Sequence, residues 1–167
     1  RRARRAEVMP RLHSQIDPGS AAFAANAARM AEKLAEVRAL EAKVVAESSS
    51  KREKFEARGQ LLPRERVARL IDRGSEFLEL SPLAGLGLHD DDGRKSVQGG
   101  GSIVGIGTVA GKRVLVIASD SAVKGGTVAP MGLKKALRAQ ELAARNKLPI
   151  TAFHQRDDRQ LVPCRQF

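Results

Sequence analysis

Tryptophan and tyrosine do not occur in this 167-residue sequence, and five phenylalanines are its whole aromatic content. Gripping single-stranded nucleic acid by base stacking calls for more rings than that. The single cysteine, Cys164, excludes a disulfide framework and a multi-cysteine zinc site, and fits a reducing compartment. Three scattered histidines, His13, His89 and His154, show no ligand spacing, so no metal is expected. No apolar run approaches the ~20 residues of a membrane span, and no membrane partner is assigned. Catalytic signatures are equally scarce. There is no G-x-S-x-G elbow, no H-E-x-x-H and no Cys/His pair at an interpretable spacing.

What is present is a core's worth of apolar residues and an excess of positive charge. Hydrophobic residues at 42% and charged ones at 29% fit a soluble α/β domain with an appended helical arm. The net charge of +11 favours anionic partners: nucleic acid, phosphates, acidic proteins or anionic lipid. Part of it is local, since Arg1, Arg2, Arg4, Arg5 and Arg11 face only Glu7. Residues 1–16 read as a disordered basic leader, with Arg1–Val8 as translated upstream sequence or a fragment edge before Met9. No apolar stretch follows that would make it a secretory signal, whereas an Arg-rich, acid-poor mitochondrial presequence stays open.

Residues 17–73 read as a helical arm. Asp17-Pro18 suits a helix start. Phe23, Ala27, Met30, Leu34, Val37 and Val44 then recur at helical spacing, predicting a helix that ends near Ser48-Ser49-Ser50 with one side packed on its own domain or on a neighbouring subunit. A charged helix over Lys51–Arg58 stops at Gly59, and Pro63 opens another through Ile71 with Val67, Leu70 and Ile71 inward. Phe77–Leu80 reads as a strand. His89–Gln98 is a polar loop whose three aspartates lack the spacing of a calcium loop.

From Gly99 the character changes. Gly99-Gly100-Gly101 leads into Ser102–Val109, Ala110-Gly111 turns the chain, and Arg113–Ala118 runs back as an apolar strand buried on both faces. Gly105 and Gly107 predict a close backbone approach or a bend. A helix follows over Met131–Asn146, with Leu133, Ala136, Leu137 and Ala143/Ala144 inward and Lys134, Lys135, Arg138 and Arg145 on a cationic outer face. Leu148-Pro149-Ile150 starts another strand. Between strand and helix, Lys124-Gly125-Gly126-Thr127 has the chemistry of a phosphate cradle: exposed backbone N–H groups, a lysine, and a helix N-terminus. A tight strand-to-helix turn has the same composition, and the Walker order is absent. The glycines at 99–107 precede a hairpin, which excludes a dinucleotide fold.

Several blocks in order resemble the carboxyltransferase subunits of biotin-dependent acyl-CoA carboxylases. They are Ala57–Val67, Leu70–Leu80, Gly99-Gly100-Gly101 with Gly105-Ile106-Gly107, Ala118-Ser119-Asp120, Val123–Thr127, Lys134-Lys135, Arg138–Glu141 and Leu148-Pro149. The Val-Lys-Gly-Gly-Thr form, with Met9–Leu12 and Phe23–Asn26, is more similar to the methylcrotonoyl-CoA and geranyl-CoA types than to the propionyl-CoA type. The resemblance covers about residues 9–150. It implies a partial crotonase-like spiral of ββα units, with residues 74–150 as the start of the carboxyltransferase N-terminal domain. It implies transfer of a carboxyl group from carboxybiotin to an acyl-CoA, 3-methylcrotonyl-CoA first, with enolate charge held by backbone N–H donors. It further implies acyl-CoA contact at Lys124, Gly125, Gly126 and Thr127. Carboxybiotin would sit on a biotin carboxylase/carrier partner that uses ATP and bicarbonate, with no cofactor on this chain. The intact protein would be a homo-oligomer, cytoplasmic in a bacterium or in the mitochondrial matrix of a eukaryote.

The pattern departs after Ile150. The family continues with an acidic residue, Ser, a small pair and Ala, which form the first oxyanion hole. Here residues 151–167 read Thr-Ala-Phe-His-Gln-Arg-Asp-Asp-Arg-Gln-Leu-Val-Pro-Cys-Arg-Gln-Phe. The expectation is an aberrant tail, from a frameshift or assembly error near residue 150, no catalytic residue in place, and an inactive polypeptide. Two other classes remain open: a basic nucleic-acid-binding module, recognisable by a steep salt dependence, and an inactive interaction protein using the Pro18–Glu47 helix.

Overall fold

A computed structural model describes residues 14–88, 97–127 and 129–153. The basic leader up to residue 13, the three aspartates of the polar loop and the tail from residue 154 lie outside the described residues. The chain forms two compact units, Arg1–Val37 and Arg38–Phe167, and helix α1 (Ala21–Ser49) runs from one into the other.

In the first unit the helix start differs by a few residues from the sequence expectation. The Asp17 carboxylate accepts the Gly19 N–H at 2.9 Å, making a turn, and Ser20 is the cap, its Oγ accepting the Phe23 N–H at 3.2 Å. The apolar stripe is not covered by the described residues of this chain, which leaves a neighbouring subunit as the expected cover. Phe23, Met30, Leu34 and Val37 are all exposed, Leu34 by 46%. Only Val44 and Ser48, beyond the division between units, are buried. Periodicity says which face of a helix can be buried; it does not supply the surface that buries it.

The second unit continues with α2 (Arg52–Glu56) and α3 (Pro63–Leu70). Pro63 sits in the first turn of α3, where its missing N–H costs nothing, and the Glu65 carboxylate accepts the Leu62 N–H at 3.2 Å. Four strands follow: β1 (Leu78–Glu79), β2 (Ser102–Val109), β3 (Lys112–Ser119) and β4 (Ile150–Phe153). They lie side by side in chain order. β1 and β2 are antiparallel, β2 and β3 form the expected hairpin, and β3 pairs with β4 in parallel through the crossover helix α4 (Pro130–Asn146).

The hairpin turns at Ala110 and Gly111, both with positive φ (50° and 74°), which matches the twist of the flanking strands. An alanine is strained there, and Asp72 offsets the cost. Its two carboxylate oxygens accept the Ala110 and Gly111 N–H groups at 2.8 Å each, while its own N–H donates to Thr108 O at 2.9 Å. α3 is tied to β1 by the Arg64 guanidinium, which donates to both oxygens of Glu79 at 2.7 and 3.0 Å.

Two layers of core lie on opposite faces of the sheet. Ile103, Val114, Val116 and Ala118 pack with Val67 and Ile71 of α3, and Val104 and Leu115 pack with Ala139 and Ala143 of α4. β3 is therefore buried on both faces, as its continuous apolar run requires. The glycines of β2 make room on the α3 side. A Cβ on Gly105 would lie 2.3 Å from the Phe77 ring and 2.7 Å from the Leu78 carbonyl, and one on Gly107 would lie 2.4 Å from Ile71 Cδ1. Side chains as well as the neighbouring backbone fill the space.

α4 presents a different face from the one its leucines predict. Gly132, Lys135, Ala139 and Ala143 are buried, while Leu133 and Leu137 are 54% and 52% exposed. Small side chains let the helix axis come close to the sheet, and a Cβ on Gly132 would sit 2.1 Å from Gly100 O. That backbone contact sets the rotation of the helix, and it moves Lys135 from the expected outer face into the interior.

Candidate functional site

Hairpin register builds the site. Ser102 pairs with Ser119, so the glycine turn entering β2 and the glycine loop leaving β3 lie next to each other at one end of the sheet. In the turn, Gln98–Gly101, the three glycines have φ of 79°, 66° and 68°. Each is also closely packed. Added Cβ atoms would lie 3.3 Å from Pro82 O, 2.7 Å from Gly132 Cα and 2.9 Å from Thr127 O respectively. Only residues without a side chain fit here.

The loop opens with Asp120. Its N–H donates to Gly101 O at 2.9 Å, its carboxylate accepts the Ala122 N–H at 3.3 Å, and its carbonyl accepts the Val123 N–H at 3.0 Å. Asp120 is buried. Lys124–Gly126 then forms a short turn in which Gly125 and Gly126 take φ of 67° and 79°, and the Gly126 N–H donates to Val123 O at 2.9 Å. Gly125 and Thr127 are exposed and Gly126 is half-buried. A small cluster of Val97, Val123 and Ala129 joins the bases of the turn and the loop. The sequence-predicted residues Lys124 to Thr127 thus stand together on one exposed loop, with the Lys124 side chain outside the described atoms. The first turn of α4 rests on Gly100 through Gly132.

Beneath the turn lies Lys135, which the sequence reading placed outside. It is 6% exposed, and its Nζ donates to Ser102 O at 2.8 Å and Gly99 O at 3.2 Å. Burial lowers its pKa to about 8, against the opposing field of Glu79 and Asp120 and with the help of Arg64. A groove of about 450 Å³ runs beside the first half of α4, lined by Glu41, Leu83, Met131, Lys134, Lys135 and Arg138. Lys135 reads as surface because it stands between Leu133 and Leu137 beside Lys134, with Arg138 just beyond. The signal that could have found it is the small-residue spacing Gly132, Ala139, Ala143. Among the described residues no three His, Cys, Asp or Glu side chains group as a metal site, and no helix is long and apolar enough to cross a membrane.

A strand–turn–strand–glycine loop–helix–strand unit with these features defines a class. Residues 54–156 match the carboxyl transferase domain family, and the chain belongs to it. Among relatives, it is 45% identical to the probable mitochondrial methylcrotonoyl-CoA carboxylase beta chain of Drosophila melanogaster over 83% of this chain and 24% of that protein. It is 53% identical to the biotin-dependent 3-methylcrotonyl-coenzyme A carboxylase beta1 subunit of Mycobacterium tuberculosis over 59% of this chain and 18% of that one. The crystal structure of the P. aeruginosa geranyl-CoA carboxylase beta subunit superposes with a TM-score of 0.77 at 50% identity, over 87% of this chain and 27% of that one. The transcarboxylase 12S structure, at 24% identity and a TM-score of 0.65, shows the fold alone.

The fold is therefore crotonase-like, and the chain spans about a quarter or less of the length of the relatives it matches. Carboxyltransferases of this family transfer a carboxyl group to an acyl-CoA. No finding supports the nucleic-acid-binding alternative.

Proposed function

We propose that this chain supplies the opening ββα unit of a carboxyltransferase acting on an acyl-CoA, with 3-methylcrotonyl-CoA favoured over geranyl-CoA, and that Lys124–Thr127 contacts the CoA moiety. The carrying observation is the exposed loop at the strand end, whose two left-handed glycines keep Cβ atoms away from an incoming ligand. Lys134 and Arg138 add positive charge along the groove beside the first half of α4, where Glu41 and the Glu141 partner of Arg138 offset part of it. Biotin on a partner subunit, charged with ATP and bicarbonate, supplies the carboxyl group, and no binding of it is assigned to this chain. The intact protein works as a homo-oligomer with that partner. Its compartment follows the host: the cytoplasm of a bacterium, or the mitochondrial matrix of a eukaryote.

The thioester oxygen gains charge when the acyl carbon loses its proton, and backbone N–H donors are the groups that stabilise it. The small-residue turn expected to provide them is missing from the sequence after Ile150, so the loop is assigned to binding alone. The test is amide-shift mapping with CoA and with pantetheine, which lacks the phosphates. Shifts at Gly125, Gly126 and Thr127 with CoA, weaker with pantetheine, are expected. An unresponsive loop at millimolar CoA overturns the assignment.

A further inference from the structure

We infer that Lys135 is the positioning residue of the double-glycine loop: it fastens the Gly99–Gly101 turn to α4, and that turn shapes the backbone of Gly125, Gly126 and Thr127. Three contacts in series carry this. The Lys135 Nζ holds the carbonyls at both ends of the turn, Gly99 and Ser102. The last glycine of the turn, Gly101, accepts the Asp120 N–H and lies against the Thr127 carbonyl. Asp120 and Val123 then carry the hydrogen bonds on to Gly126. Lys124–Gly126 is a short helical turn outside the four-stranded sheet, so its conformation rests on what touches it.

Burying a lysine costs free energy that a Met or Leu in the same space would not incur. What the lysine adds is a set of directed donors at the end of a flexible stem, reaching two carbonyls that would otherwise lose those donors. The charged groups facing it are Glu79 of β1, Asp120 beyond β3 and Arg64 of α3, with Lys134 and Arg138 on its own helix and Glu41 across the groove. The two facing carboxylates favour the protonated amine, while burial and Arg64 oppose it. That the loop meets CoA rests on the function proposed above. The coupling between Lys135 and the loop does not.

The experiment compares amide spectra of the whole 167-residue chain as wild type, Lys135→Met and Lys134→Met, each then titrated with CoA. In Lys135→Met the amides of Gly99–Gly101 and of Gly125–Thr127 move, those of Val104 and Leu115 stay in place, and CoA binds roughly tenfold more weakly, the scale of a lost hydrogen bond. Lys134→Met leaves both glycine segments unmoved. A folded Lys135→Met chain with Gly125–Thr127 unshifted overturns the inference. If wild type fails to bind CoA while Lys135→Met still displaces the loop amides, the ligand is wrong and the positioning role stands. Should Lys135→Met fail to fold, the wild type is titrated with base and the Lys135 Cε shift followed. Loop glycines sharing its midpoint support the coupling, and flat glycine shifts through that midpoint exclude it.

Discussion

At the scale of single residues, burial of the Lys135 amine has a measurable pH signature. Its pKa in the folded chain is about 8, below the ordinary 10.5, because burial penalises the charged form. Between those two values the unfolded chain binds more protons than the folded one, so stability rises with pH across that window. Below pH 8 the penalty is fully present. At about 1.4 kcal/mol per unit, the whole shift is worth on the order of 3 kcal/mol. Unfolding free energies of wild type and Lys135→Met, measured by urea from pH 7 to 10.5, isolate this contribution from all other titrations. The difference should move in favour of the wild type as pH passes from 8 to 10.5, and a constant difference would contradict the assigned burial. Gly132 offers a second test. A Cβ there meets the Gly100 carbonyl at 2.1 Å, and backbone cannot step aside as a side-chain end can. Gly132→Ala should cost roughly 3 kcal/mol, the upper range for overpacking, visible as a lowered melting temperature.

Elements were read from the sequence with uneven success, and the pattern of success has a physical cause. β2, β3, their two-residue turn and the crossover to β4 were legible because an unbroken apolar run and paired glycines permit few arrangements. The turn can be tested through Asp72, whose carboxylate caps both of its N–H groups. Asp72→Ala should cost about 1 kcal/mol by removing two hydrogen bonds that water partly replaces at this exposed turn, whereas Ala110→Gly relieves the strain of a positive φ and should raise stability by about 0.5–1 kcal/mol. Thermal unfolding of the two variants separates the effects by sign. The face of α4 was not legible. Leu133 and Leu137 carry the strong hydrophobic signal, yet the contacts that set the helix rotation belong to Gly132, Ala139 and Ala143, residues whose small size is their qualification. α1 has the opposite character. Its stripe is a genuine apolar face, but Leu34 stands 46% exposed, so Leu34→Asp should shift the melting temperature of this chain by less than ~0.5 kcal/mol of stability implies.

For the whole molecule, the candidate site was half legible. The loop Lys124–Thr127 announced itself through its glycines. Its supports, Asp120 and Lys135, could be recognised only once the β2–β3 register placed two glycine segments side by side. The same register fixes what this polypeptide can be expected to do. An acyl-CoA carboxyltransferase has to bind the thioester and stabilise its enolate oxygen, and losing even one positioned N–H donor typically costs ~10²–10³ in rate. The loop is the surface proposed for the first task. For the second, the proposal is that Arg156-Asp157-Asp158-Arg159 stands where the resemblance implies a small-residue turn, and the chain spans only about a quarter of the geranyl-CoA carboxylase beta subunit it superposes on. The 167-residue polypeptide should therefore fix no carboxyl group when mixed with a competent biotin-bearing partner, ATP, radiolabelled bicarbonate and 3-methylcrotonyl-CoA, beside a full-length beta subunit as the positive control. Weak CoA binding at the loop, if the proposed assignment is right, should persist in the same preparation, since the Gly125–Thr127 backbone is formed within these residues. Label entering the acyl-CoA above the blank without subunit would mean that N–H donors for the enolate exist within these residues, and the glycine turn at 99–101 would be the first place to look for them.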